Sequence, residues 1–480
     1  MSIAQIAAFS QARVVVAAPD PERRITRFGW DSRAVQPGSL FVAFPGERVD
    51  GNDFIASALS AGAAVVLASR PLAATQDGAT LCRAAQDAGA AILEVARADA
   101  VAAFQRLAGG YRGLLTARTV GITGSSGKTT TKDMVAAVLS STYNTTATQG
   151  NYNNEIGLPA TILAAGEATE MLICEMGMQA LGEIAELAAI AAPQIGVITN
   201  IGVTHCKSVG SRENIARAKA ELIEALPEHN GIAILNGDDA FTPFIREQAQ
   251  TASRDIRVVL YGLGAHNDIR AAHIDYDEQG RPSFDLWLPD GRPRQASLAL
   301  QGEHNVLNAL AAAAVGIVAG VTPEAILRAL ALCRPAAMRQ EVHETASGVT
   351  VIDDTYNANP DSMRAALALL NRLPHERMHI AVLGDMYELG SEEQAFHREV
   401  GAYAHINRLD LLITVGDLGA QIAAGAREIG RADAAVVTCS TPAEALEALL
   451  PYLSRRPIIL VKASRGMRLE QVVEEVLARC

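Results

Sequence analysis

Apolar and polar positions change rhythm twice along the chain, and the three stretches so marked read as domains at residues 1–116, 117–335 and 336–480. In the first the apolar runs are short. Residues 40–44 suit a strand after the Pro37-Gly38 turn, 53–61 a helix, and 63–68 a buried strand. From Arg118 onward, apolar strands at 119–123, 171–175, 195–200 and 232–235 alternate with helical stretches, which implies crossover connections and a mainly parallel sheet. Residues 268–300 depart from this rhythm. Phe284-Asp285-Leu286-Trp287-Leu288 alternates, and Asp290-Gly291 is a tight-turn pair, so a small antiparallel insertion is expected. Helices at 303–319 and 323–332 follow. A third alternating unit begins near Met338, with strands at 350–353, 379–383, 411–415, 435–438 and 458–461. The fold class expected is α/β in three domains: a small N-terminal α/β domain, a central parallel-sheet domain with the insertion, and a C-terminal Rossmann-like domain. No Gly-x-Gly-x-x-Gly turn follows the first strand of the last domain, so a dinucleotide is not expected there.

Composition narrows the class. Of 480 residues, 49% are hydrophobic and 20% charged, the profile of a soluble globular protein. Only 4% are aromatic, which suits closely packed helix-on-sheet layers. A net charge of −12 argues against broad binding to nucleic acid or anionic membranes, so an anionic substrate needs locally gathered donors. The longest apolar stretch, 309–321, is too short to span a bilayer, and residues 1–13 do not resemble a signal peptide. Six scattered cysteines with no Cys-x-x-Cys pair suit reduced thiols in the cytoplasm. A monomer is the default expectation.

The sharpest chemical signal is GITGSSGKTT, residues 121–130, which follows an apolar strand and precedes a helix expected at 132–139. Glycines let backbone N–H groups turn toward phosphate oxygens, and the helix N-terminus adds a partial positive charge. The strict Gly-x4-Gly-Lys spacing is not met, because Ile122 stands where the first glycine would be. Gly124-x-x-Gly127-Lys128-Thr129 is a tighter variant. Backbone and side chains of Gly124, Ser125, Ser126, Gly127, Lys128, Thr129 and Thr130 are therefore expected to hold ATP. Lys128 would reach the β- and γ-phosphates, and the Thr129 hydroxyl would sit on Mg²⁺.

Two more residues gain meaning from position. Glu175 ends one strand and His205 follows another, and residues past strand C-termini in an open parallel sheet converge on one edge. A carboxylate and an imidazole there suit one or two Mg²⁺ ions, although a loop histidine is as readily a hydrogen-bonding residue. Lys219, on a helix expected at 213–226, reads from the sequence alone as a solvated lysine paired with a nearby glutamate.

Assembled, these segments resemble the Mur ligase family, along nearly the whole chain. The central domain carries GITGSSGKTT, GNYNNEIGLP (150–159), EMGM (175–178), NIGVTH (200–205) and GEHNVLNALAA (302–312). The resemblance implies a catalytic set of Lys128, Lys219 and His205, with Thr129 and Glu175 on one Mg²⁺. It further implies that His205 and a carbamylated Lys219 hold a second ion, which requires an amine depressed from its free pKa of about 10.4. It implies ATP contacts from Asn305, Arg339 and Asp354. DSRAVQPGSLFVAFPGERVDGNDF (31–54) looks like a uridine-nucleotide domain, with Ser32 and Arg33 at substrate-contact positions. DDTYNANPDSMRAAL (353–367), AVLGDMYELG (381–390) and KASRGMRLEQVV (462–473) look like the member that joins D-alanyl-D-alanine to UDP-N-acetylmuramoyl-tripeptide. The Asp-Asn-Pro-Arg motif of the diaminopimelate-adding relative does not occur. The implied activity is ATP-dependent amide ligation through an acyl phosphate. A folylpolyglutamate-type synthase is the nearest rival, and a nucleotide-dependent switch or transport ATPase a more distant one.

Overall fold

Each of the three stretches builds its own sheet. The computed structural model describes residues 1–480 apart from 47–48, 73–75, 205, 408 and 431–434. Among the described residues the strands form sheets of five, nine and six.

The first sheet runs Arg13–Val16, Ala91–Glu94, Val65–Ala68, Leu40–Ala43, Phe28–Gly29, parallel except for its outermost Arg13–Val16 pairing. The helix expected at 53–61 is a 3-10 turn, Gly51–Phe54, running into the helix Ile55–Ser60. Asp50 imposes the tighter turn by accepting a hydrogen bond from the backbone N–H of Asn52 at 2.9 Å.

The central sheet runs Thr145–Ala147, Met171–Glu175, Arg118–Thr123, Ile195–Ile198, Ile232–Asn236, Arg257–Gly262, all parallel. Ile269–Tyr276 joins this edge, and Pro282–Trp287 and Pro293–Ser297 continue it antiparallel. The expected insertion is thus an extension of the same sheet. Its alternation has a simple cause: Phe284, Leu286 and Ala296 pack into the core under the helix Glu303–Ala319, while their neighbours face outward. The helices Glu303–Ala319 and Pro323–Leu332 lie where expected. Gly320 ends the first in the left-handed region, and the Thr322 hydroxyl caps the second. The helix after the phosphate loop, Lys128–Ser140, begins four residues before the expected 132. Gly127 takes φ 78°, which turns the chain from loop to helix in one residue.

The third sheet runs Glu341–Glu344, Thr350–Asp354, Ile458–Lys462, His379–Gly384, Leu411–Val415, Val436–Cys439, parallel except at the Glu341–Glu344 edge. Helices Pro360–Arg372, Glu393–Ile406 and Gly419–Glu428 cover one face, and Pro442–Leu449 with Glu470–Arg479 the other.

The units are joined by polar clamps. The buried Arg112 guanidinium donates to Thr119 Oγ1 at 2.9 Å and to the carbonyls of Ala191, Leu115 and Ala117 at 3.0, 3.1 and 3.0 Å, fixing the chain between the first and second sheets. Arg372 of the third unit bonds Glu303 at 3.0 Å and lies 4.1 Å over the Tyr276 ring of the second. All six cysteines are free. Among the described residues no helix is long and apolar enough to cross a membrane.

Candidate active site

The phosphate loop leaves the strand Arg118–Thr123 and is tied to the neighbouring loop after Ile195–Ile198. Ser125 N donates to Asn200 O at 3.0 Å, Ser126 N to Asn200 Oδ1 at 2.9 Å, and Gly202 N to Ser125 Oγ at 2.8 Å. Thr199 Oγ1 donates to Ser126 O at 2.6 Å. Gly127 is required twice over: its φ is +78°, and a Cβ there would lie 2.5 Å from Asn308 Oδ1. Lys128 Nζ curls back to Gly124 O at 2.7 Å. Burial pulls its pKa below the ordinary range, Arg339 adds to that, and Glu175 opposes it.

Beside the loop lies a carboxylate with an open coordination position. Thr129 Oγ1 and Asn153 Nδ2 both donate to Glu175 Oε1, at 3.1 and 2.8 Å. Glu175 Oε2 is buried and has no hydrogen-bond partner among the described residues. An orphaned carboxylate oxygen next to a threonine hydroxyl is a fitting donor set for a hard divalent cation such as Mg²⁺.

Lys219 overturns the solvated-lysine reading. It is 1% exposed on the helix Arg212–Glu224, flanked by the buried Ala216, Ala218 and Ala220, whose small side chains let the helix pack closely on several sides. Glu221, a nearby glutamate, instead accepts the backbone N–H groups of Gly182 and Ala185 at 2.7 and 3.0 Å. Burial first, and Lys128 second, push the Lys219 amine well below its ordinary pKa. That is the neutral form carbamylation needs. His205 lies outside the described residues.

The third domain faces the loop across a cavity of about 710 Å³, whose walls include Ser125, Ser126, Lys128 and Thr130. Arg339 reaches it with its guanidinium 3.9 Å from the Tyr356 ring centroid. Asp354 also lines it, paired at 2.7 Å with the buried Lys462, which donates to Asn357 O at 2.9 Å. From the central domain, Asn305 Nδ2 donates to Gln301 O at 2.7 Å, and its Oδ1 accepts from Asn308 at 2.9 Å. Of the expected ATP-contact residues, all but Gly124 border this one cavity. Ser32 and Arg33 are not among its lining residues. They sit on the 3-10 turn Ser32–Ala34 of the first domain, where Arg33 forms a bidentate pair with Asp31 at 2.9 and 2.7 Å.

Four polar residues escaped the sequence reading: Asn153, Asn308, Asn359 and Lys462. Asn308 had a signal, since it lies three residues after Asn305 on one helix face. Asn153 sits in the quoted GNYNN segment, and Lys462 ends an apolar strand. The arrangement can bind a triphosphate on backbone and lysine donors, hold a cation at Glu175, and present that anion to a second domain.

Three family descriptions match the chain: "Mur ligase family, catalytic domain" at 24–108, "Mur ligase middle domain" at 122–316, and "Mur ligase, glutamate ligase domain" at 338–465. The chain is 39% identical over 447 residues to UDP-N-acetylmuramoyl-tripeptide–D-alanyl-D-alanine ligase of Bacillus subtilis, covering 93% of this chain and 92% of that one. A crystal structure of MurF from Acinetobacter baumannii superposes with a TM-score of 0.85 at 31% identity, covering 99% of this chain and 98% of that one. MurF ligase from Thermotoga maritima in complex with ADP superposes with a TM-score of 0.78 at 29% identity, covering 95% and 98%. Matched by three family descriptions and, over 93% of its length, by a relative 39% identical, the chain belongs to the Mur ligase family.

Proposed function

We propose that this enzyme joins D-alanyl-D-alanine to UDP-N-acetylmuramoyl-tripeptide with conversion of ATP to ADP and phosphate, a step of peptidoglycan precursor synthesis. The observation carrying the reading is the cavity between the phosphate loop and Arg339, Asp354 and Lys462, in a chain resembling such ligases from end to end. Residues 1–116 would bind the uridine nucleotide, with Ser32 and Arg33 among the contacts. Residues 117–335 would bind ATP, and 336–480 would bring the incoming amine.

In this reading the tripeptide's terminal carboxylate oxygen attacks the γ-phosphorus as the bond to the β-phosphate oxygen breaks, giving an acyl phosphate and ADP. The amine of D-alanyl-D-alanine then attacks the acyl carbon. The tetrahedral adduct collapses by expelling phosphate, and the nitrogen loses its extra proton to solvent. Bringing two anions together is the electrostatic obstacle. Lys128 offsets it when its ammonium leaves Gly124 O for the phosphates, and one such preorganised contact is worth roughly 3–4 kcal/mol. Thr129 and Glu175 would hold Mg²⁺, and His205 with a carbamylated Lys219 a second ion. Bound there, Mg²⁺ neutralises phosphate oxygens. Asn305, Arg339 and Asp354 orient the nucleotide, and closure of the third domain excludes water that would hydrolyse the acyl phosphate. We place the enzyme in the cytoplasm, where ATP and uridine-nucleotide precursors are available, and take it to be a monomer.

The test is phosphate release from purified protein given UDP-N-acetylmuramoyl-tripeptides carrying lysine or diaminopimelate, each with and without D-alanyl-D-alanine. Release requiring both partners is expected, and Lys128→Ala abolishes ADP formation while remaining folded. Turnover with glutamate as the acceptor amine would favour a folylpolyglutamate-type synthase instead, and release without any acyl acceptor pair a plain ATPase.

A further inference from the structure

Asn359 stands at the boundary between the third domain and the phosphate loop, and nothing in the chemistry above uses it. It is the N-cap of the helix Pro360–Arg372. Its Oδ1 accepts the backbone N–H of Ser362 at 2.8 Å, and its own N–H donates to Ser362 Oγ at 3.0 Å, closing a capping box. With the oxygen committed to the helix, the amide nitrogen has to face the other way. There Nδ2 donates to Ser126 Oγ and Thr204 Oγ1, both at 2.9 Å. Ser126 belongs to the phosphate loop, and Thr204 to the adjoining loop that leads to His205. One buried amide thus bonds to both loops from another domain.

The surroundings mark this as the docking contact. Val203 packs against the third domain's own core. Lys207 N donates to Glu388 O at 3.2 Å across the same boundary. Gly202 leaves room for the approach, since a Cβ there would lie 2.9 Å from Asp361 Oδ2.

We propose that Asn359 is a positioning residue: its amide fastens the phosphate loop and the 199–204 loop in register when the third domain docks. Asparagine is singled out by the double demand. Serine or threonine caps a helix but is too short to reach the loops, and aspartate caps it but brings an acceptor and a negative charge toward bound phosphates.

The inference rests on the ligase reading and is tested in the same phosphate-release assay. Asn359→Ser retains a strong N-cap, so its melting temperature stays close to wild type. Losing two neutral hydrogen bonds lowers kcat about 10-fold to 30-fold, with the KM for ATP little changed. Thr204→Val made in the Asn359→Ser background costs less than it does alone, because the shared bond is already gone. Equal kcat for wild type and Asn359→Ser, or losses that simply multiply in the double variant, overturns the proposal. So does a kcat loss that tracks a fall in melting temperature. An inactive wild type condemns the ligase reading instead, which keeps the two failures apart.

Discussion

Replacing Lys219 by alanine separates packing from chemistry. The lysine side chain is 1% exposed. Truncation removes three buried methylenes, at about 0.8 kcal/mol each, or about 2 kcal/mol in all. It also relieves the desolvation of a buried amine, which costs about 1–3 kcal/mol. The two contributions oppose each other and leave stability changed by about 1 kcal/mol, so Lys219→Ala remains folded. If the amine carries a carbamate that acts as a ligand, kcat falls about 100-fold to 1,000-fold, the size expected for one preorganised electrostatic contact. Acetate or propionate, which fits the vacated space and restores a carboxylate, recovers part of the turnover. Depleting bicarbonate lowers wild-type turnover reversibly, and isotope-labelled bicarbonate gives a carbamate resonance that the variant lacks. Undiminished turnover in Lys219→Ala would refute the reasoning and leave Lys219 a packing residue.

Glu175→Gln keeps the acceptor for Thr129 and Asn153 but replaces the orphaned oxygen with a donor, so turnover falls about 100-fold and the Mg²⁺ titration shifts to higher concentration. An unchanged Mg²⁺ titration would remove Glu175 from the cation site. Gly127→Ala combines a positive φ of 78° with a 2.5 Å clash, a strain of about 1–3 kcal/mol, and weakens ADP binding about 10-fold by nucleotide titration. Arg112→Met orphans the carbonyls of Leu115, Ala117 and Ala191. It costs about 3 kcal/mol in a denaturant-unfolding midpoint while leaving ADP affinity intact. In protein depleted of bicarbonate, burial holds the free Lys219 amine below the ordinary 10.5, so the unfolded chain binds more protons between the depressed value and 10.5. Stability therefore rises with pH across that window and is lost as pH falls through the depressed value, and Lys219→Met abolishes that slope in denaturation midpoints.

Elements with strong punctuation were legible in the sequence. Gly302, Gly320 and the Thr322-Pro323 pair bracket the two helices that close the central domain, and both fall on the expected residues. Arg13–Val16 and Ala91–Glu94 went unread because three apolar residues beside one charged residue carry too little periodicity to distinguish strand from helix, and Thr145–Ala147 because a polar three-residue edge carries none. The hairpins of 269–297 were recognised as antiparallel, but sequence periodicity does not reveal which edge a strand joins. Around the site, the phosphate loop was visible because its glycines and lysine are adjacent in sequence. Lys219 was misread because its flanking Arg217 and Glu221 suggest a solvated face, whereas the informative neighbours were the alanines between them. Asn359 and Lys462 depend on a partner in another segment for their meaning, and no local pattern announces that.

The spatial order of the third sheet bears on how the enzyme is made. Ile458–Lys462 is the last strand of that sheet in chain order, yet it lies between Thr350–Asp354 and His379–Gly384. On the ribosome, the first two sheets have all their strands well before this point. The third stays split along its middle until that late strand inserts, and the same insertion delivers Lys462 to Asp354. A chain cut short before it would therefore retain an intact phosphate loop with no partner wall, and a protease clipping there would silence the enzyme without touching the loop.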